Sequence, residues 1–340
     1  MKRLVTAVLA GVLAISSVMA ASKKATFAKK NVRVVIGSTS TSGDSYLIAQ
    51  TVARYLGKAL NANMKVDAVG ASKALDLMQT SKPDGNTIMI FHDMTYLGIS
   101  FKAYDSMYKL ENMTVGPRVV QNPGSGWAAK KDAPFNNLKE IPEYLKNNAG
   151  KNVRMACEAG GVSQIAFVEF YEWVTDTYGA DIAKRIVVII GGSTAEKCQM
   201  LWDGNCDVIF ADYTSLLDYT KTDDKKIAMK YMGLMDNIEG VNVPSYADMK
   251  ITLAGGKEFR FSKDFVIYLP KNFPADLLKE LDDGCKKICA DPAMKADLAK
   301  MQYRPAYLNS TDAKSFIYGK RADMQKLIDT APALDDLVAK

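Results

Sequence analysis

The sequence predicts an α/β chain in two lobes, and three observations carry that expectation. Apolar strand-like runs alternate with amphipathic helical spacing, and turns rich in glycine and hydroxyl residues stand where strands give way to helices. The third is length. Setting aside an N-terminal export signal leaves about 320 residues, which at ~100–200 residues per domain is the size of two.

That signal is read from Lys2 and Arg3 as a basic start, Leu4 to Val18 as an apolar stretch and Val18-Met19-Ala20 as a small-residue cleavage site, so the mature chain is expected to begin near Ala21. No cysteine stands at the cleavage point, which disfavours a lipid anchor, and no later run is long and apolar enough to span a bilayer. The expectation is a soluble periplasmic protein.

In order along the mature chain, Val32, Val34, Val35 and Ile36 form an opening strand, followed by the turn Gly37 to Ser45. A helix then carries Ile48, Val52, Tyr55, Leu56, Ala59 and Leu60 at three- and four-residue spacing. This turn places unpaired N–H groups and hydroxyls at a helix start, where a carboxylate or phosphate is favoured; a plain capping loop would read the same way. Met64 to Val69 reads as a strand, Ala71 to Thr80 as a helix, Lys82 to Thr87 as a Pro/Asp-Gly turn and Ile88 to Phe91 as a buried strand. Asn136 to Asn147 is a helix and Val153 to Cys157 a strand, with the turn Glu158 to Ser163 opening a helix from Gln164 to Tyr178. Ile186 to Ile190 is the next strand, the turn Gly191 to Thr194 starts a helix to about Trp202, and Cys206 to Phe210 is a strand. Strands near Tyr231 to Met235 and Phe265 to Leu269 precede helices at Pro274 to Cys289, Pro292 to Met301 and Asp312 to Ile328. In an open α/β sheet ligands sit beyond the carboxyl ends of the strands, which directs attention to the turns at Gly43, Gly160, Gly192 and Ala211.

Composition narrows the chemistry. The chain is 48% hydrophobic, ample for two cores, and its formal charge of +6 falls to +4 without Lys2 and Arg3, with acids and bases interspersed. Nothing in this points to nucleic acid, although a mild positive bias attracts anions. The five cysteines contain no C-x-x-C pair; Cys198 and Cys206 are spaced for a weakly supported bridge, and most of the thiols read as small buried apolar groups. With a single histidine, a Cys/His metal site is not expected, nor is any cofactor. No G-x-S-x-G elbow and no G-K-[ST] phosphate loop occur, so the chain is not expected to be an enzyme.

The order of short motifs resembles the periplasmic receptors of tripartite tricarboxylate transporters, the Bug-type receptors, over about Val32 to Ile317. Lys82-Pro83-Asp84-Gly85-Asn86-Thr87 is similar to the family's A-x-P-D-G-Y-T, with Asn86 for tyrosine. Asp207 to Phe210 after Gly204 resembles G-G-x-V-D-x-x-F, Val243 to Asp248 resembles V-P-T-x-x-E, and Ala290-Asp291-Pro292 matches A-D-P. The resemblance implies a type II periplasmic-binding-protein fold, two α/β lobes with an interlobe ligand cleft, divided as 31–122 with 232–340 and 123–231. It implies capture of a small organic carboxylate by a monomer that delivers it to membrane permease subunits. The family's first-strand turn P-G-G-x-x-D corresponds to Thr39, Ser40, Thr41, Ser42, Gly43 and Asp44, where proline and both glycines are replaced by hydroxyl residues. These residues are expected to bind the carboxylate through N–H and hydroxyl groups, with Asp44 capping the helix. The family's G-x-G-S-x-x-H corresponds to Gly160 to Ala166, so Gly160, Gly161 and Ser163 enter the expected site, as do Thr194 and Ala195 from the next turn, while the family histidine is Ala166.

Single residues complete the expected site. His92 and Asp93 follow the strand Ile88 to Phe91, as a ligand contact or as a bonded pair. Asp212 and Tyr213 follow Cys206 to Phe210: Asp212 as an acceptor for the ligand or a helix cap, Tyr213, with Trp127, as a stacking surface or packing. Arg33, Arg54, Arg118 and Arg154 are left out, since the family works without an arginine. Two other readings are a sensor component that hands its closed form to a signalling protein, and an enzyme dependent on His92.

Overall fold

A computed structural model describes residues 25–41 and 43–338; the stretch expected to be an export signal and Ser42 lie outside the described residues. The strands are β1 (Asn31–Ile36), β2 (Asn63–Ala68), β3 (Thr87–Phe91), β4 (Met113–Asn122), β5 (Ser125–Lys130), β6 (Val153–Cys157), β7 (Ile186–Ile190), β8 (Val208–Asp212), β9 (Met229–Leu234), β10 (Thr252–Leu253), β11 (Lys257–Glu258), β12 (Lys263–Pro270) and β13 (Arg304–Leu308). The helices are α1 (Asp44–Leu60), α2 (Ala71–Thr80), α3 (Met94–Ser100), α4 (Glu140–Asn147), α5 (Val162–Tyr178), α6 (Ala180–Ala183), α7 (Thr194–Trp202), α8 (Tyr213–Lys221), α9 (Ala275–Cys289), α10 (Pro292–Ala299), α11 (Ser310–Thr330) and α12 (Leu334–Leu337).

Two separate sheets define two lobes. The first has the order β13-β4-β12-β3-β1-β2 and the second β7-β6-β8-β5-β9. In each, a parallel βαβ nucleus (β1 with β2 and β3; β6 with β7 and β8) is extended by antiparallel strands. The inner strands β3 and β8 are short apolar runs because helices cover both faces, while the edge strand β2 alternates polar and apolar residues. Val32, Val34 and Ile36 of β1 pack with Ile48, Val52 and Leu56 of α1 and with Leu277 and Leu281 of α9, while Val35 faces Leu75 and Met78 of α2 on the other side.

The chain passes from the first sheet to the second through Pro123-Gly124, between the end of β4 and the start of β5. A Cβ at Gly124 would stand 2.6 Å from Ile238 Cδ1, on the segment that returns to the first lobe. The two crossovers therefore touch. The carboxyl ends of β3, β6 and β8 turn towards the space between the sheets. β12 adds its amino end there because it runs antiparallel to β3 and β4, with Lys263 opposite Asn122.

Several elements were absent from the sequence reading. β4 carries Gly116 and Pro117 between Val115 and Arg118, and β12 shifts register opposite them, between Val266 and Tyr268, which accommodates a residue with no N–H to donate. β8 begins and ends two residues later than expected. α4 starts at Glu140 rather than Asn136, because the Glu140 carboxylate accepts the Asn136 N–H at 2.7 Å in a turn ahead of the helix. All five cysteines are free thiols and four are buried, so Cys198 and Cys206 form no bridge.

Candidate functional site

A cavity of about 110 Å³ lies where the strand ends of the two lobes meet. The first lobe contributes His92, Met94 and Lys263; the second contributes Ser125, Glu158, Val162, Ser163, Thr194, Lys197, Phe210, Ala211 and Asp212. Larger hollows exist, such as one of about 570 Å³ beside Arg54, Lys58 and Asn63, but that one opens on the outside of the first lobe, away from the strand ends.

The second-lobe wall is built from two helix starts. α5 begins at Val162 after Gly161, and α7 begins at Thr194 after Ser193, whose hydroxyl accepts the Glu196 N–H at 3.2 Å. Both helices bring the positive end of their dipoles and first-turn N–H groups to the cavity. The Ser163 hydroxyl is used inside the turn, accepting the Glu158 N–H at 2.8 Å and donating to the Glu158 carbonyl at 3.1 Å. Gly160, at φ +76°, donates its N–H to the Gln164 side chain and, with Gly161, shapes the turn rather than the cavity wall. Ala195 is exposed one residue beyond Thr194.

Lysines, unremarked in the sequence, supply charge. Lys197 is 1% exposed, and its Nζ donates to Glu158 Oε1 at 3.0 Å. Lys263 Nζ donates to both oxygens of Asp212, at 2.9 and 3.2 Å. Asp212 also accepts from Asn122 Nδ2 at 2.7 Å and Ser125 Oγ at 2.5 Å. Burial alone would push the Asp212 carboxyl up, but the Lys263 charge and the hydrogen bonds of Asp44, Ser125 and Lys263 hold it well below the usual range. Lys263 is raised despite burial, by the charges of Asp212 and Asp44.

Asp44 stands on the opposite lobe from Asp212 and shares a hydrogen bond with it. Burial, followed by that bond and the Asp212 charge, raises Asp44 to about 7, so near neutrality it is the proton-bearing partner. Tyr303 donates its hydroxyl to Asp44 Oδ2 at 3.1 Å. The helix cap is instead Gly43, which makes no side-chain capping bond; Asp44 links the lobes, contrary to the capping role expected for it.

The remaining expected residues take up other positions. Thr39, Ser40 and Thr41 are exposed, and Ser40 Oγ accepts the Gly43 N–H at 3.1 Å, so the turn closes on itself and lies outside the cavity lining. Gly37 is needed there, since a Cβ would fall 2.0 Å from the Phe91 ring. His92 lines the cavity, its Nδ1 accepting the Met94 N–H at 3.4 Å and its ring against Phe91 and Phe265. Burial first, then the Lys263 charge, push its pKa well below the ordinary value, leaving a neutral imidazole. Asp93 is fully buried away from the cavity lining, accepting from Tyr96 at 2.6 Å and the Asp264 N–H at 2.8 Å and pairing with Lys320. Tyr213 stacks on Tyr231 and Trp127 is sealed in the core with its Nε1 on Tyr246, so both pack. Arg118 pairs with Asp264 and Arg154 with Asp207, both as supports.

Residues 46–332 match the family described as the tripartite tricarboxylate transporter family receptor, TctC. The chain belongs to this family. Among curated proteins no sequence matches it. The periplasmic binding protein BugD superposes with a TM-score of 0.65 at 17% identity, over 88% of this chain and 96% of that one. MatC from Rhodopseudomonas palustris with bound malate gives 0.65 at 13% identity, over 87% and 98%. An R. palustris protein with adipate gives 0.67 at 14%, over 88% and 98%. At these identities the structures establish the type II, two-lobe fold. The TctC family is one of solute-binding receptors rather than enzymes, and it implies a periplasmic location.

Sequence reasoning missed Ser125, Glu158, Lys197 and Lys263 of this TctC-family cavity. Lys263 and Ser125 reach it through antiparallel strands that the alternation of strand and helix does not reveal. Lys197, three residues into a helix, has the spacing of an ordinary solvated lysine.

Proposed function

We propose that this chain is an exported receptor that closes on a small organic carboxylate and delivers it, as a monomer, to the permease subunits of a tripartite transporter. One observation carries the reading: the cavity between the lobes joins two helix starts to the buried ammonium of Lys197, all favourable to an anion. Family membership supports the class of ligand, and the malate and adipate of the similar structures point the same way.

The reading divides the chain into 31–122 with 232–340 and 123–231; the two sheets support this, β9 crossing the second boundary by three residues. Binding would proceed by replacing the water around the carboxylate with fixed dipoles as the lobes close. Turnover has no support: the neutral His92 is packed between aromatic rings and is bonded to no serine or cysteine. Thr194, Ser163, His92 and Asp212 then face the ligand, with Asp44 bonded to Asp212 across the cleft. Mass spectrometry of the small molecule released from natively purified protein tests this. An organic acid is the expected result, and a sugar, a simple amine or a metal ion in its place overturns the reading.

A further inference from the structure

We infer that Lys197 is the anchor for the ligand's carboxylate, that Glu158 occupies the position this carboxylate takes, and that the ligand is a monocarboxylate. The inference rests on the receptor reading and narrows it.

Lys197 is placed rather than merely present. Its stem lies on the backbone of Gly191, where a Cβ would come 2.6 Å from Lys197 Cγ, and its ammonium lines the cavity at 1% exposure. Burying an ammonium costs several kcal/mol unless it is well paired. Its protein partner is a poor pair: the Glu158 side chain is 44% exposed and supplies one oxygen at 3.0 Å. One of three ammonium donors is thereby used, and the other two remain for an occupant. A half-exposed carboxylate can turn into water at little cost, leaving Lys197 to a ligand carboxylate.

Charge then fixes the number of carboxylates. Lys263 and Asp212 neutralise one another through two contacts, His92 is neutral, and Asp44 bears a proton while it bonds Asp212. Once Glu158 turns out, Lys197 is the one unmatched charge in the wall. A single ligand carboxylate restores neutrality, whereas a second would face Asp212 with no cation to meet it.

Isothermal titration calorimetry with acetate, propionate, lactate and pyruvate against malonate, succinate and adipate tests this, on the wild type and on Lys197→Met and Glu158→Gln. The expected result is binding of at least one monocarboxylate about 10-fold or more tighter than any dicarboxylate. Lys197→Met should lose roughly 100-fold in affinity, and Glu158→Gln should bind more tightly, because the competing carboxylate is gone. A merely structural pair would not produce that gain. Dicarboxylates binding more tightly than monocarboxylates, Lys197→Met binding within about 3-fold of wild type, or Glu158→Gln binding no better than wild type each overturns the inference while leaving the receptor reading in place. If no carboxylate binds the folded wild type, the receptor reading itself fails. Should Lys197→Met not fold, the wild-type series and Glu158→Gln decide.

Discussion

Two lysine–carboxylate pairs sit in the same cavity wall and differ in how they are closed. Asp212 meets Lys263 with both oxygens and also takes hydrogen bonds from Asn122, Ser125 and the carboxyl of Asp44, so its carboxylate has partners on both lobes. Glu158 meets Lys197 with one oxygen and keeps 44% of its side chain in water. The first pair holds the lobes at their junction. The second leaves a buried ammonium answered mainly by a carboxylate that can leave, which is what a site for an anion requires. Burial of a charge thus does not separate structural from functional pairs; the completeness of its hydrogen bonding does.

Lys263→Met gives the largest expected effect. It leaves Asp212 largely buried without its cation, and urea unfolding should show a loss of roughly 2–4 kcal/mol. A loss below ~1 kcal/mol would put the two pairs on the same footing.

A buried carboxyl with no partner sharpens the contrast. Glu169, 1% exposed in α5, has neither oxygen hydrogen-bonded, and burial, with Glu172 and Asp176 adding their charges, raises it to about 8. The folded chain therefore holds a proton that the unfolded chain releases near 4.5, and Glu169's contribution is lost as pH rises towards 8. Glu169→Gln should be more stable than wild type by roughly 1–3 kcal/mol at pH 9 and little changed at pH 5.

Asp44→Asn acts on the closed network in the same direction. Since Asp44 is raised from 3.8 to about 7, its contribution is full below the lower value and lost as pH climbs through the upper one. The variant should flatten that part of the stability–pH curve, by about 1 kcal/mol, in thermal melts between pH 5 and 8. The smallest effect falls on Lys197→Met: freeing Glu158 to water and burying an apolar chain should change stability by less than ~1 kcal/mol. A loss as large as that of Lys263→Met would make Lys197 a structural residue.

The strand–helix alternation made the parallel nuclei of both lobes legible, because their strands are continuous apolar runs: the buried Ile88 to Phe91, and Ile186 to Ile190, which stays apolar although it is an edge strand with Ile190 exposed. The antiparallel extensions were not, since β4 holds Gly116, Pro117 and Arg118 and β13 begins Arg304-Pro305. The site followed the same division. Thr194, Ser163, His92 and Asp212 stand at ends of elements that the pattern reveals, and they line the cavity. Lys263 reaches it only through its register opposite Asn122. Thr39, Ser40 and Thr41 looked like the richest donors, yet their turn spends Ser40 on Gly43 and faces solvent.

The most direct test of the central claim, that the interlobe cavity captures a carboxylate, is a crystal structure of the chain grown with the tightest-binding organic acid. The account predicts the acid between the lobes, one carboxylate oxygen within hydrogen-bond distance of Lys197 Nζ and Glu158 turned to solvent. An acid bound outside this cavity, with the Lys197–Glu158 pair intact, would contradict it.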